Sequence, residues 1–185
     1  MIYLGLHNSF QSGAALIIDN KIVGAVTEER LCREKDFHGW PERSIKYLLN
    51  LGDISIQDVD KIVYGMVTSV TPDQETLTAL LAKITKCCAI NPELEKKYFE
   101  RVESEMQWNE IHLKRLEEWM AKNSLKDKIE FVDHHYSHAA GGYYTSPFKN
   151  AMVFTFDGKG NFRSGSVGIG NGDELKIVDF YTTFD

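Results

Sequence analysis

The sequence predicts an α/β fold, and three observations carry that expectation. The chain opens with three short apolar runs divided by polar turns. Longer stretches with apolar residues at three- and four-residue spacing follow, alternating with brief β-branched runs. After residue 150 the strand–turn–strand–turn–strand plan of the opening returns.

Ile2–Leu6 is the first apolar run, and the polar stretch His7–Ser12 separates it from Gly13–Ile18. Asp19-Asn20 then joins that run to Lys21–Thr27, because Asp and Asn tolerate the positive φ of a tight hairpin. Glu28–Trp40 reads as a charged loop. Pro41 starts a helix whose apolar face holds Ile45, Leu48 and Leu49 and whose end is marked by Gly52. Lys61–Met66 is β-branched and reads as a fourth strand. Pro72 to Asn123 is helical in composition: Leu94, Tyr98, Val102 and Met106, then Leu113, Leu116 and Met120, form an apolar stripe, and Trp108 and Trp119 read as core or helix-packing residues. Ile129–Val132 is a fifth strand, followed by a helix from His134 to Tyr144 that Pro147 stops. Ala151–Phe156, the polar turn Asp157–Arg163, Ser164–Gly170, a turn at Asn171-Gly172 and Leu175–Thr182 complete the pattern.

The order is therefore an antiparallel ribbon feeding parallel strands through right-handed crossovers, with helices on both sheet faces. Two related units are expected: residues 1–150, with a helical insertion at about 72–123, and residues 151–185, the opening strands of a second unit that Asp185 interrupts.

The chain is 43% hydrophobic and 26% charged, with a formal charge of −6, which argues against nucleic-acid binding through a broadly basic face. Cys32 and the adjacent Cys87 and Cys88 provide neither a disulfide framework nor a zinc-ribbon spacing. Met1–Leu6 lacks a basic region leading into a long apolar stretch, and no apolar run reaches the ~20 residues of a membrane span, so a cytoplasmic protein is expected.

The strongest chemical signal is Asp133-His134-His135-Tyr136-Ser137-His138. Asp133 suits an N-cap, which places His134 and His138 one turn apart on one helix face, where two imidazoles can share a cation, and turns His135 elsewhere. Gly141 and Gly142 inside the same helix imply a close neighbour, since glycine there otherwise only weakens the helix. Asp157 at a strand end offers an anionic third ligand, and the glycines of Asp157-Gly158-Lys159-Gly160 free backbone N–H groups for phosphate. A mixed nitrogen and oxygen set suits iron, manganese or zinc. His7-Asn8-Ser9 ends the first strand, where ligands gather in such sheets. His7 is a candidate general base, and Asn8 and Ser9 are candidate nucleotide contacts. Arg30, Arg33 and Lys35 are candidate anion-binding residues in a loop that reads equally as a solvated charge run.

Three stretches carry a resemblance. They are Leu4–Ser9 with Gly13–Asp19 and Glu28–Lys35, then His134–Ala140 through Phe148, then Phe156–Gly160. On these the chain resembles the O-carbamoyltransferase family of nodulation and antibiotic-tailoring enzymes (NodU/CmcH type). The resemblance implies a duplicated ribonuclease-H-like domain of the actin/Hsp70-type ATPase superfold, its first unit complete and its second truncated. It implies that His134, His138 and Asp157 bind a metal, most often iron, with a fourth, acidic ligand further along the chain. It implies that carbamoyl phosphate and ATP yield carbamoyl-adenylate in a C-terminal YrdC-like domain, and that the carbamoyl group then passes to the hydroxyl of a small-molecule acceptor, with His7 as the base. A homodimer is compatible with this reading.

The chain departs from the family in having His7-Asn8 for His-Asp and Asn161 for glutamate, which removes two carboxylates that support base and metal. Two rival readings remain: a sugar-kinase-like phosphotransferase of the same superfold, which uses acidic residues and Mg²⁺, and a non-catalytic metal- or nucleotide-binding module. A zinc peptidase lacks its water-activating glutamate here.

Overall fold

A computed structural model describes residues 1–66, 74–87 and 92–182, with eight strands and five helices among them. The first three strands are β1 (Ile2–His7), β2 (Gly13–Ile18) and β3 (Lys21–Thr27). Asp19 and Asn20 have φ of 49° and 62°, the positive pair that a two-residue hairpin requires. Helices α1 (Glu28–Cys32) and α2 (Glu42–Leu51) follow, then β4 (Lys61–Tyr64). Helices α3 (Gln74–Cys87) and α4 (Pro92–Lys122) occupy the stretch read as an insertion. β5 (Ile129–Phe131) and α5 (His134–Tyr144) lead into β6 (Asn150–Gly160), β7 (Arg163–Asn171) and β8 (Glu174–Thr182).

The chain is thus α/β, with a mixed five-stranded sheet of order β3-β2-β1-β4-β5 and an antiparallel sheet of order β6-β7-β8. β1 pairs antiparallel with β2 and parallel with β4, and β4 pairs parallel with β5. Register follows burial: Leu4 opposes Leu16 and Leu6 opposes Ala14, all four buried on one face.

Contacts divide the chain into two compact units. Residues 1–65 and 111–132 form one, and residues 66–110 and 133–185 form the other. In the first, α2 packs on β2 and β3, and Leu48, Val59, Ile62, Leu116 and Leu125 are buried. In the second, α5 packs on β6, β7 and β8 around Ala139, Tyr143 and Leu175. Gly170 lies under the Tyr143 ring, where even a methyl group would collide.

Several expectations need correction. Glu28–Trp40 is not all loop: Glu28 begins α1, is 3% exposed, and caps another helix. Pro41, the N-cap of α2, has no side-chain donor or acceptor to offer. The Glu28 carboxylate instead accepts from Arg43 N at 3.0 Å, Ser44 N at 2.8 Å and Ser44 Oγ at 2.7 Å. A carboxylate is favoured there because a helix N-terminus presents free N–H groups and a positive dipole end.

The stripe assigned to α4 holds at Leu116 and Met120, which are buried, but not before them. Val102, Met106 and Leu113 are only half-buried and Trp108 is 48% exposed, whereas Glu105, Asn109 and His112 are buried beside Leu116 and Met120. Trp119 does pack, its ring centroid 5.1 Å from that of Trp40. The Leu94 side chain lies outside the described residues. Gly141 and Gly142 have no described neighbour within 4 Å of an added Cβ, so no close approach explains them.

Candidate metal centre

The site is built on the start of α5 and the tip of the β6–β7 hairpin, both in the second unit. Asp133 caps α5, its Oδ1 accepting from Tyr136 N at 2.9 Å, while Oδ2 accepts from Arg163 Nη1 at 2.9 Å. The Arg163 guanidinium lies 4.1 Å over the Phe180 ring, so the first turn of α5 is tied to β7 and β8.

With the helix start fixed, His134 and His138 project from one face. His138 Nε2 stands 3.0 Å from His134 Nε2, and Asp157 Oδ2 lies 2.7 Å from His134 Nε2 and 3.3 Å from His138 Nε2. Two nitrogens and an oxygen therefore face one another, and these three ligand atoms lie within 4.8 Å of one another. Donor atoms ~2.1 Å from a shared ion at tetrahedral or octahedral angles stand about 3.0–3.4 Å apart, so the spacing and donor types fit a transition-metal ion. His134 is mostly buried, with Asp157 about a third exposed and His138 half exposed, which leaves one side open to solvent.

Burial alone would raise the Asp157 carboxyl. The His134 hydrogen bond, the Gly158 N–H at 2.6 Å and the two neighbouring imidazoles outweigh it and hold the group below its ordinary value. His135 points away from this cluster into the protein. Its Nδ1 lies 2.9 Å from Thr155 Oγ1, which lies 2.8 Å from Ser166 Oγ, and burial pushes its pKa down.

The expected polar turn Asp157–Arg163 is much shorter. β6 runs on to Gly160 with its register to β7 lapsing after Phe156, and the turn is only Asn161-Phe162. Asp157 sits in that irregular segment, not at a strand end. The Gly158 N–H is already used by Asp157, and Gly160 is pressed against the His134 ring, where a methyl group would overlap it. The Lys159 side chain lies outside the described residues.

The remaining candidates belong to the first unit. His7 is half-buried, its Nε2 3.1 Å from the Phe10 carbonyl oxygen. Asn8 is fully buried: its Nδ2 donates to the His112 carbonyl at 2.9 Å, and its Oδ1 accepts from the Tyr64 hydroxyl. Both ends of the amide are thus engaged within the first unit. Ser9 is half-buried. Arg30 is exposed and pairs with Glu29 at 3.4 Å, and Arg33 and Lys35 are exposed, so this group forms a solvated surface.

Fold and site define a mixed α/β chain carrying a two-histidine, one-carboxylate cluster. The family described as carbamoyltransferase N-terminus matches residues 3–182, and the chain belongs to that family. It is 31% identical over 186 residues to the nodulation protein NolNO of Sinorhizobium fredii, covering 98% of this chain and 25% of that protein. It is 33% identical over 170 residues to an uncharacterized Synechocystis protein, sll1178, covering 89% of this chain and 26% of that protein. An uncharacterized Methanocaldococcus jannaschii protein, MJ1051, is 27% identical over 95% of this chain and 26% of its own length. The chain thus spans about a quarter of the length of these relatives. Among the described residues no helix is long and apolar enough to cross a membrane.

Proposed function

We propose that this chain is the metal-bearing N-terminal part of an O-carbamoyltransferase, which moves a carbamoyl group from carbamoyl-adenylate to the hydroxyl of a small-molecule acceptor. The observation that carries the reading is the convergence of His134, His138 and Asp157 in a chain of the carbamoyltransferase N-terminus family. Strand order supports a ribonuclease-H-like fold: three antiparallel strands and two parallel ones in the order β3-β2-β1-β4-β5. On that reading β6, β7 and β8 are the opening ribbon of a duplicated second unit.

His134, His138 and Asp157 hold a divalent ion, iron before manganese or zinc, through two imidazole nitrogens and one carboxylate oxygen. Such an ion supplies Lewis acidity and offsets negative charge developing on the carbamoyl group. The acceptor oxygen forms the new C–O bond to the carbamoyl carbon, the bond from that carbon to the phosphate oxygen of the adenylate breaks, and AMP leaves with that oxygen. His7 takes the proton of the hydroxyl, a role suited to an imidazole. ATP and carbamoyl phosphate provide the donor through a YrdC-like domain of the same protein, in the cytoplasm.

The full-length protein tests this through acceptor-dependent release of AMP from carbamoyl phosphate and ATP. His134→Ala is expected to lower that release at least ~100-fold with loss of bound metal. Unchanged release from the metal-free variant contradicts the assignment.

A further inference from the structure

The tip of the β6–β7 hairpin carries backbone strain. Asn161 and Phe162 both have positive φ, 52° and 63°, and a bulky residue in that region holds its place only when its surroundings fix it. The surroundings here come from α4. Phe162 is 2% exposed, and its backbone N–H donates to Glu105 Oε1 at 2.7 Å in a buried bond. Glu105 is 3% exposed, and its Oε2 has no partner among the described residues, an unusual state for a carboxylate that serves packing alone.

The same tip holds His134 at two points. The His134 backbone N–H donates to Asn161 Oδ1 at 3.2 Å, and the Gly160 backbone lies directly against its ring. Asp157 lies on the same strand only three residues before Gly160. Both halves of the 2.7 Å approach between His134 Nε2 and Asp157 Oδ2 therefore depend on where Asn161 and Phe162 sit.

We infer that Glu105 is a positioning residue for the metal centre: by accepting the Phe162 N–H it clamps the hairpin tip that sets Asp157 against His134. The helical insertion is thereby part of the site's support, and this assignment rests on the metal reading of His134, His138 and Asp157.

The test is Co(II) titration of the metal-free full-length protein, followed by the visible absorption of the bound ion, beside thermal unfolding. Glu105→Ala is expected to weaken Co(II) binding about 10-fold or more, the scale on which outer-shell partners act. Glu105→Gln keeps an acceptor oxygen and should remain within about 3-fold of wild type. Leu116→Ala, which removes buried volume from the same helix, should lower Tm and leave Co(II) affinity within about 3-fold. Wild-type affinity in Glu105→Ala, a Gln variant as weak as the Ala variant, or an equal loss in Leu116→Ala each overturns the clamp. If wild type takes up no Co(II), or His134→Ala binds as tightly as wild type, the metal reading itself falls, and the clamp with it.

Discussion

Glu28 and Asp157 are both carboxylates beside a helix start, yet their surroundings differ in kind. Glu28 is almost wholly buried and meets only donors: two backbone N–H groups and a serine hydroxyl. Asp157 is partly open to solvent and faces two imidazole nitrogens that also face each other. The first carboxylate is saturated by fixed donors and completes a fold. The second faces two imidazole nitrogens of the kind that ligate metals, an arrangement that could hold a cation. A polar cluster is a candidate site when its lone pairs converge; burial and hydrogen-bond number alone do not distinguish it.

Removing each carboxylate in turn should have opposite consequences. Glu28→Ala leaves the Arg43 and Ser44 N–H groups and the Ser44 hydroxyl without their acceptor and is expected to cost about 3 kcal/mol, read by chemical denaturation, with metal affinity nearly unchanged. Asp157→Ala should do the reverse: a stability change below about 1 kcal/mol in the metal-free protein, but a loss of metal affinity on the order of 100-fold. Similar stability losses in the two variants would erase the distinction.

A smaller effect sharpens it on the other flank of α5. The folded pKa of His135 lies below the unfolded value of 6.5 because burial disfavours the imidazolium. The unfolded chain therefore binds the extra proton. The stabilising contribution is intact above pH 6.5 and is lost as pH falls from there through the lower folded value. His135→Gln should flatten that dependence by up to about 1 kcal/mol per pH unit, read as stability of the metal-free protein against pH. An identical slope in the variant would show that His135 takes up its proton alike in the folded and unfolded chain, against this reading.

Much of this was legible in the sequence where local chemistry decides the outcome. Alternation and the Asp19-Asn20 turn specify β1 to β3, and the Asp133 cap specifies the phase of α5 and hence which two histidines converge. What stayed hidden depends on partners far away in the chain. Glu28 looks like one more charge in a charged run until Arg43 and Ser44 are brought to it. Glu105, Asn109 and His112 look like solvent-facing positions, because apolar periodicity marks where burial is favourable and is silent on polar side chains that tertiary packing buries, Glu105 among them for the Phe162 N–H. Their one sequence cue is a polar line at four- and three-residue spacing, which an exposed helix face shares. Gly141 and Gly142 misled for the converse reason: glycine permits close approach without requiring it. Asn8 kept its place beside His7 but spends its amide on Tyr64 and His112.

The most direct measurement is anomalous diffraction at the metal absorption edge from crystals of the full-length protein carrying bound Co(II). A single peak is expected about 2.0–2.3 Å from His134 Nε2, His138 Nε2 and an Asp157 carboxylate oxygen. A stoichiometrically bound ion whose peak lies away from these three side chains would contradict it.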